Sequence, residues 1–316
     1  MVGIGARTAL PSAVPPGSVR AGRSQGQGAP AQASPRAVLP LGVLTSLWAL
    51  AALAALAAWL LLYGFVLSGY QEHSAQHALY AQLRSELALG VAPLGGLVKP
   101  GEPVALLRVP QAGINDVVSE GTTAGILERG PGLESDTPLP GQAGASVIMG
   151  RPTLFGGPFR HLDLLRPGDL LAVTTGQGTF HYRVEDVLYP GDPVPPALKA
   201  GQGRLVLTTT AGAGWRQLGV PDQFLYVDAS LIGKPVGTPG GMPNAVPYNQ
   251  EAMHGDSSAL VPLVLWLQLL VLTVLALVLV RSRWSVWLTW LVGTSVVLAV
   301  VWVASEVGFQ LLPNLI

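Results

Sequence analysis

Three long apolar runs constrain this chain more than any other feature. Residues 38–67 (VLPLGVLTSLWALAALAALAAWLLLYGFVL), 260–280 and 285–304 are each long enough, as helices, to cross a hydrocarbon core that needs about 20 residues. No Asp, Glu, Lys or Arg interrupts them, so they read as anchors or helix-docking surfaces and not as an ion or proton pathway. The first run is too long, and lies too far from Met1, for the 7–15 or so apolar residues of a cleaved signal, which predicts a retained anchor at 37–67. The other two, joined by Arg281-Ser282-Arg283-Trp284, predict a helical hairpin.

Residues 1–36 carry Arg7, Arg20, Arg23 and Arg36 and no acidic side chain, in a background of Ala, Gly, Pro, Ser and Gln that cannot bury enough apolar surface to fold. Positive charge marks the cytoplasmic side. The disordered tail and the Arg281/Arg283 link are therefore expected inside, with the chain between the anchors and a short tail at 305–316 outside. That is a multi-pass plasma-membrane protein with a cytoplasmic N-terminus. Trp48, Trp59, Trp266, Trp284, Trp287, Trp290 and Trp302, seven of the eight tryptophans, lie in or beside the spans, as interfacial rings do. Gly293, Thr294 and Ser295 form a small-residue patch that lets a second helix approach closely. Lys plus Arg and Asp plus Glu balance at 18 each, which argues against nucleic acid as a partner. The absence of Cys excludes disulfides, thiolate metal sites and a cysteine nucleophile.

Between the anchors, residues 70–90 predict a juxtamembrane helix. His73 and His77 fall there at i, i+4, a spacing that can hold a metal, but with no third ligand in view they read as solvated side chains. From Pro103 the pattern changes to short β-type runs between Gly and Pro turns, at 104–109, 114–118, 145–149, 170–175, 179–188, 204–209 and 223–228. Strands so spaced predict a barrel or a sandwich. Residues 234–259, rich in Gly, Pro and Asn, read as a linker to the second span.

The order of motifs in 103–233 is specific. The pieces GPG…TPLPGQ, PFRHLDLLRPGD and LVLTT, followed by FLYVDASL, resemble a sortase, the bacterial cell-surface cysteine transpeptidase, and most resemble the actinobacterial class E type. The resemblance implies a mostly β fold, an eight-stranded barrel, here joined to three transmembrane helices. It also implies a Cys nucleophile, a His that handles protons and an Arg that steadies the oxyanion or the substrate. The strand that ends in Cys in the family reads Val206-Leu207-Thr208-Thr209-Thr210 here, placing Thr210 at the nucleophile position. The Gly-His position reads Gly150-Arg151, and the family Arg is matched by Phe224, or by Gln223 with a shift of one residue.

These exchanges remove the family's chemistry. A threonine hydroxyl attacks only when a base takes its proton, and a guanidinium, with a pKa above about 12 and no acceptor, cannot be that base. Phe224 supplies no donor for an oxyanion, a loss of about 3–4 kcal/mol where such a donor operates. The expectation is a pseudoenzyme of the sortase family: a non-catalytic binding or assembly module at the cell envelope. Its groove residues are Arg151, Thr209, Thr210, Trp215 and Arg216. Its partner is another membrane or envelope protein, or an extended peptide tail. The alternative is an active transpeptidase or hydrolase that uses Thr210 with Arg216 and a relocated base, His161 or His181. No cofactor or metal is expected; Glu185, Asp186 and Asp192 form no recognisable oxygen-ligand spacing.

Overall fold

The computed structural model describes residues 41–211, 223–241, 243–280 and 286–315. The expected disordered tail, the 281–284 link, Trp215 and Arg216 lie outside the described residues. Residues 51–316 form one compact unit, and of residues 1–50 only the start of the first helix is described.

That helix, α1 (Leu41–Leu62), continues through a π-helical turn at Tyr63–Leu67 into α2 (Ser68–Leu89), so the first span and the juxtamembrane helix form one uninterrupted helical run. It ends at Gly90, whose φ of +69° is the left-handed conformation that glycine adopts without strain, with the Gly90 N–H reaching back to Glu86 O and Leu87 O. The π-turn falls where the helix is gripped. The Tyr63 ring is fully buried, 5.4 Å from the ring of Trp302 and 5.3 Å from that of Phe309.

Eight strands follow: β1 (Pro103–Val109), β2 (Ile114–Glu120), β3 (Gly132–Leu133), β4 (Gly144–Met149), β5 (Leu170–Thr175), β6 (Gly178–Leu188), β7 (Gly203–Thr210) and β8 (Phe224–Leu231). They close in the order β1-β2-β3-β4-β7-β8-β6-β5, with β5 pairing back onto β1. The pairs β2/β3 and β4/β7 are parallel and the rest antiparallel. Inside, Leu107, Ile148, Val173, Leu205, Leu207 and Val227 make a continuous buried core. Alternation along β7 puts Leu205 and Leu207 inward and Arg204, Val206, Thr208 and Thr210 outward. β1 reads as an almost unbroken apolar run because both its faces are covered: Leu106, outward, packs with Val117 under Leu79 and Leu83 of α2. Gln76 fixes that helix to the barrel by accepting from Val117 N–H at 2.7 Å and donating to Arg129 O at 2.7 Å.

α4 (Leu260–Val280) and α5 (Val286–Phe309) complete three helices long and apolar enough to cross a membrane. A Cβ at Gly293 of α5 would sit 2.8 Å from Leu277 Cδ2 of α4, so that position of the small-residue patch serves packing within the hairpin. Trp59 Nε1 of α1 donates to Ser305 Oγ of α5 at 2.9 Å. The segment read as a linker is partly built into the structure: Tyr248–Gln250 and Ser257–Ala259 are short 3₁₀ turns. Gln250 is buried, its carbonyl accepting from Thr122 Oγ1 and its side-chain oxygen from Ser135 Oγ at 2.7 Å.

Candidate functional site

The C-terminal ends of β4 and β7 and the start of β8 converge at one end of the barrel and bring Arg151, Thr209, Thr210 and Phe224 together. Parallel pairing sets Met149 beside Thr208, and Gly150 N–H donates to Thr208 O at 3.1 Å. Thr209 Oγ1 donates to Gly150 O at 2.8 Å, a buried bond that ties the two strand ends. Antiparallel pairing sets Thr210 opposite Phe224, whose ring stacks on Tyr226, while the exposed Gln223 gives its carbonyl to Ala211 N–H.

Arg151 is completely buried. Its Nη2 donates to Ala124 O at 3.2 Å in α3 (Ala124–Leu127) and lies 3.9 Å from Glu128 Oε1, and its guanidinium carbon stands 4.8 Å from the centroid of Phe155. Phe155 holds a φ of +50°, rare for a side chain of its size, with its N–H donating to Ser68 Oγ at 3.2 Å. Burial pushes the guanidinium down to about 10, with Glu128 acting against that. Burial also pushes the Glu128 carboxyl up to about 7; Arg151 and a bond from Gln310 pull it down, while Glu306 pushes it up. The two groups form a buried ion pair at one end of the barrel, with Gln310, the residue after α5, bonded to Glu128.

Thr210 Oγ1 donates to Leu315 O at 2.9 Å, a backbone carbonyl from the segment that follows α5. Leu315 is completely buried among Leu127 and Met149, with Val147 and Phe224 beside it. Leu315 thus lies against the outer face of β4, β7 and β8 at its Thr210 end. Farther along the same face the surface opens into a pocket of about 430 Å³ lined by Ala145, Val206, Tyr226 and the β6–β7 loop residues Tyr189 and Val194. At its floor Arg204 Nε lies 3.1 Å from Asp228 Oδ1.

The two candidate relocated bases stand elsewhere. His161 is exposed at the start of the 3₁₀ turn Leu162–Leu164, and His181 is exposed on β6, which β8 separates from β7. His73 and His77 pair through their Nε2 atoms at 3.1 Å, and among the described residues no three His, Asp or Glu side chains are grouped to hold a metal. The sequence reading missed Glu128, Gln310, Asn314 and Leu315 as parts of this site.

The closed eight-stranded barrel, with its parallel β2/β3 and β4/β7 pairs, is like that of sortases, and it is joined to three helices long and apolar enough to cross a membrane. Residues 107–213 match the family described as Sortase domain. It is 29% identical over 155 residues to sortase SrtE1 of Streptomyces coelicolor, a match spanning 44% of this chain and 44% of the relative's own length. Among solved structures it is similar to a Clostridium perfringens sortase D5 transpeptidase, 22% identical with a TM-score of 0.41 over 51% of this chain and 99% of that one. It is also similar to a sortase E mutant from Streptomyces avermitilis, 26% identical with a TM-score of 0.36 over 49% and 100% of the two chains.

Proposed function

We propose that this is a membrane-anchored, sortase-fold protein that does not catalyse transpeptidation and acts as a binding or assembly module at the cell envelope. The observation that carries the reading is the state of Arg151, the residue that the motif resemblance sets at the place of the family's His. It is completely buried, and its charge is directed at Glu128 and Phe155. A guanidinium so held neither accepts a proton nor reaches a substrate. Thr210 supports the same reading, because its hydroxyl hydrogen is given to the Leu315 carbonyl and a carbonyl is no general base.

Three apolar helices tether the barrel, and the positive charge of the N-tail and of the 281–284 link favours a barrel on the outer side of the plasma membrane. The open pocket beside Tyr226 leaves room for an extended peptide or a loop of an envelope protein. The decisive assay incubates the full-length protein in detergent with sorting-type peptides beside a competent sortase. The expected result is no cleavage or transfer above buffer. Turnover that disappears with Thr210→Ala overturns the reading in favour of threonine-based catalysis.

A further inference from the structure

Residues 310–315 make the contacts of a bound peptide. Asn314 is completely buried and its amide is used on both sides: Nδ2 donates to Thr122 O at 2.8 Å and to Glu251 O at 3.0 Å, and Oδ1 accepts from Met253 N–H at 2.8 Å. Its own N–H donates to His254 O at 3.1 Å. An aspartate at this place would turn an oxygen toward two carbonyls, so the pocket selects the neutral amide. One residue on, Leu315 fills an apolar recess under which Met149 and Phe224 lie, and its carbonyl takes the Thr210 hydroxyl. The chain opposite is shaped to admit this backbone. A Cβ on Gly255 would stand 2.3 Å from Leu311 O and 2.9 Å from Leu311 C. The segment follows directly from α5, and Glu306 of that helix and Gln310 of the segment act on Glu128.

We propose that residues 311–315 are an intramolecular ligand of the groove, a latch that closes its Thr210 end, and that the recess takes an extended peptide bearing a neutral amide followed by an aliphatic residue. This deepens the reading of the groove given above and rests on it for the identity of that surface, not for the absence of catalysis. The latch is continuous with α5, which sets its effective concentration at the recess in the range of about millimolar or higher. A competing peptide must exceed that level, or α5 must move, before the groove opens along its full length.

The test exploits the absence of Cys. Thr210→Cys gives full-length protein in detergent a single thiol beneath Leu315, and maleimide labelling reads its exposure. Labelling is expected to be at least about tenfold faster when Asn314→Asp, or separately Gly255→Ala, is added, because a local opening becomes populated. Hydrogen exchange on the same samples is expected to lose protection at 310–315 while β5 and β6 stay protected. Gly255→Ala serves if Asn314→Asp unfolds the barrel. A synthetic peptide of residues 310–315, at several millimolar, is expected to slow labelling of the Asn314→Asp protein again, because the groups that seat residue 314 are unaltered in it, and not that of Gly255→Ala, whose Cβ obstructs the peptide as it does the latch. Equal labelling rates in all backgrounds with β5 and β6 intact, or faster labelling of the Asn314→Asp protein that the peptide does not reverse, overturns the proposal. Neither result bears on turnover by the unaltered protein, so the latch and the non-catalytic reading fail separately.

Discussion

Replacing Glu128 by Gln sets two arguments against each other at a measurable scale. The carboxyl is pushed from 4.5 up to about 7, with burial the largest cause and Arg151 only partly opposing it. Between those pH values the folded chain holds a proton that the unfolded chain has released, so stability falls as pH rises. The contribution is fully present below about 4.5 and gone above about 7, an effect on the order of 3 kcal/mol. Glu128→Gln mimics the protonated acid and removes this titration. It should match the unaltered protein near pH 5 and exceed it near pH 8, by about 6–12 °C in melting temperature if the full 3 kcal/mol is realised in a unit of this size. The opposing argument is that breaking a buried ion pair costs about 3–5 kcal/mol. The burial of Glu128 decides for the first, since Arg151 keeps the Ala124 carbonyl and the Phe155 ring when the carboxylate is gone. Scanning fluorimetry of full-length protein in detergent from pH 5 to 8 reads both profiles. Part of the slope should remain in the variant, because burial also raises Glu120 to about 7 and Asp116 to about 6. A variant that melts several degrees lower at pH 8 than the unaltered protein refutes the reasoning.

Other perturbations follow from the same contacts. Arg151→Met should destabilise at pH 8 by up to about 3–5 kcal/mol and by clearly less at pH 5, where Glu128 is neutral, as read by the same melts. Thr209→Val removes the buried bond to Gly150 O and should cost about 1–3 kcal/mol, whereas Ser230→Ala, which removes an exposed bond to Glu185, should cost less than half of that in a urea titration. Gly132→Ala should impair folding, because its Cβ would stand 2.2 Å from Gly121 O, and a low yield of monodisperse protein would show it. Ser305→Ala should lower the melting temperature only slightly, since it removes one part-buried bond from Trp59 between α1 and α5.

Most of the barrel was legible because its strands carry their own signals. Val, Leu and Thr runs between Gly and Pro turns mark seven of the eight, within a few residues at each end. β3 escaped because two residues, Gly132 and Leu133, hold no periodicity; the strand exists only because Ser119 and Glu120 on one side and Met149 and Ile148 on the other give it partners. The π-turn is equally silent in sequence. Tyr63–Leu67 reads as more apolar helix, and only the rings of Trp302 and Phe309, packed against Tyr63 from a helix more than two hundred residues away, mark the place.

The candidate site divides along the same line between local and distant information. Arg151, Thr210 and Phe224 could be picked out because each sits in a motif whose neighbours survive. What those residues touch could not, because Glu128, Gln310 and Leu315 come from a short helix end and from beyond the last long apolar helix. Asn314 shows the limit most clearly: in LLPNLI it is one polar residue after an apolar run, with the look of a solvated end. Its burial with its amide bonded to Thr122, Glu251 and Met253 requires α5 to return the chain to the barrel at the right height. That height is fixed by Phe309 against Tyr63 and Phe155, so helix packing beside the barrel determines what lies on the groove. A change that slides α5 by one helical turn, about 5.4 Å, would carry Asn314 out of its pocket and uncover Thr210 without altering a residue of the barrel.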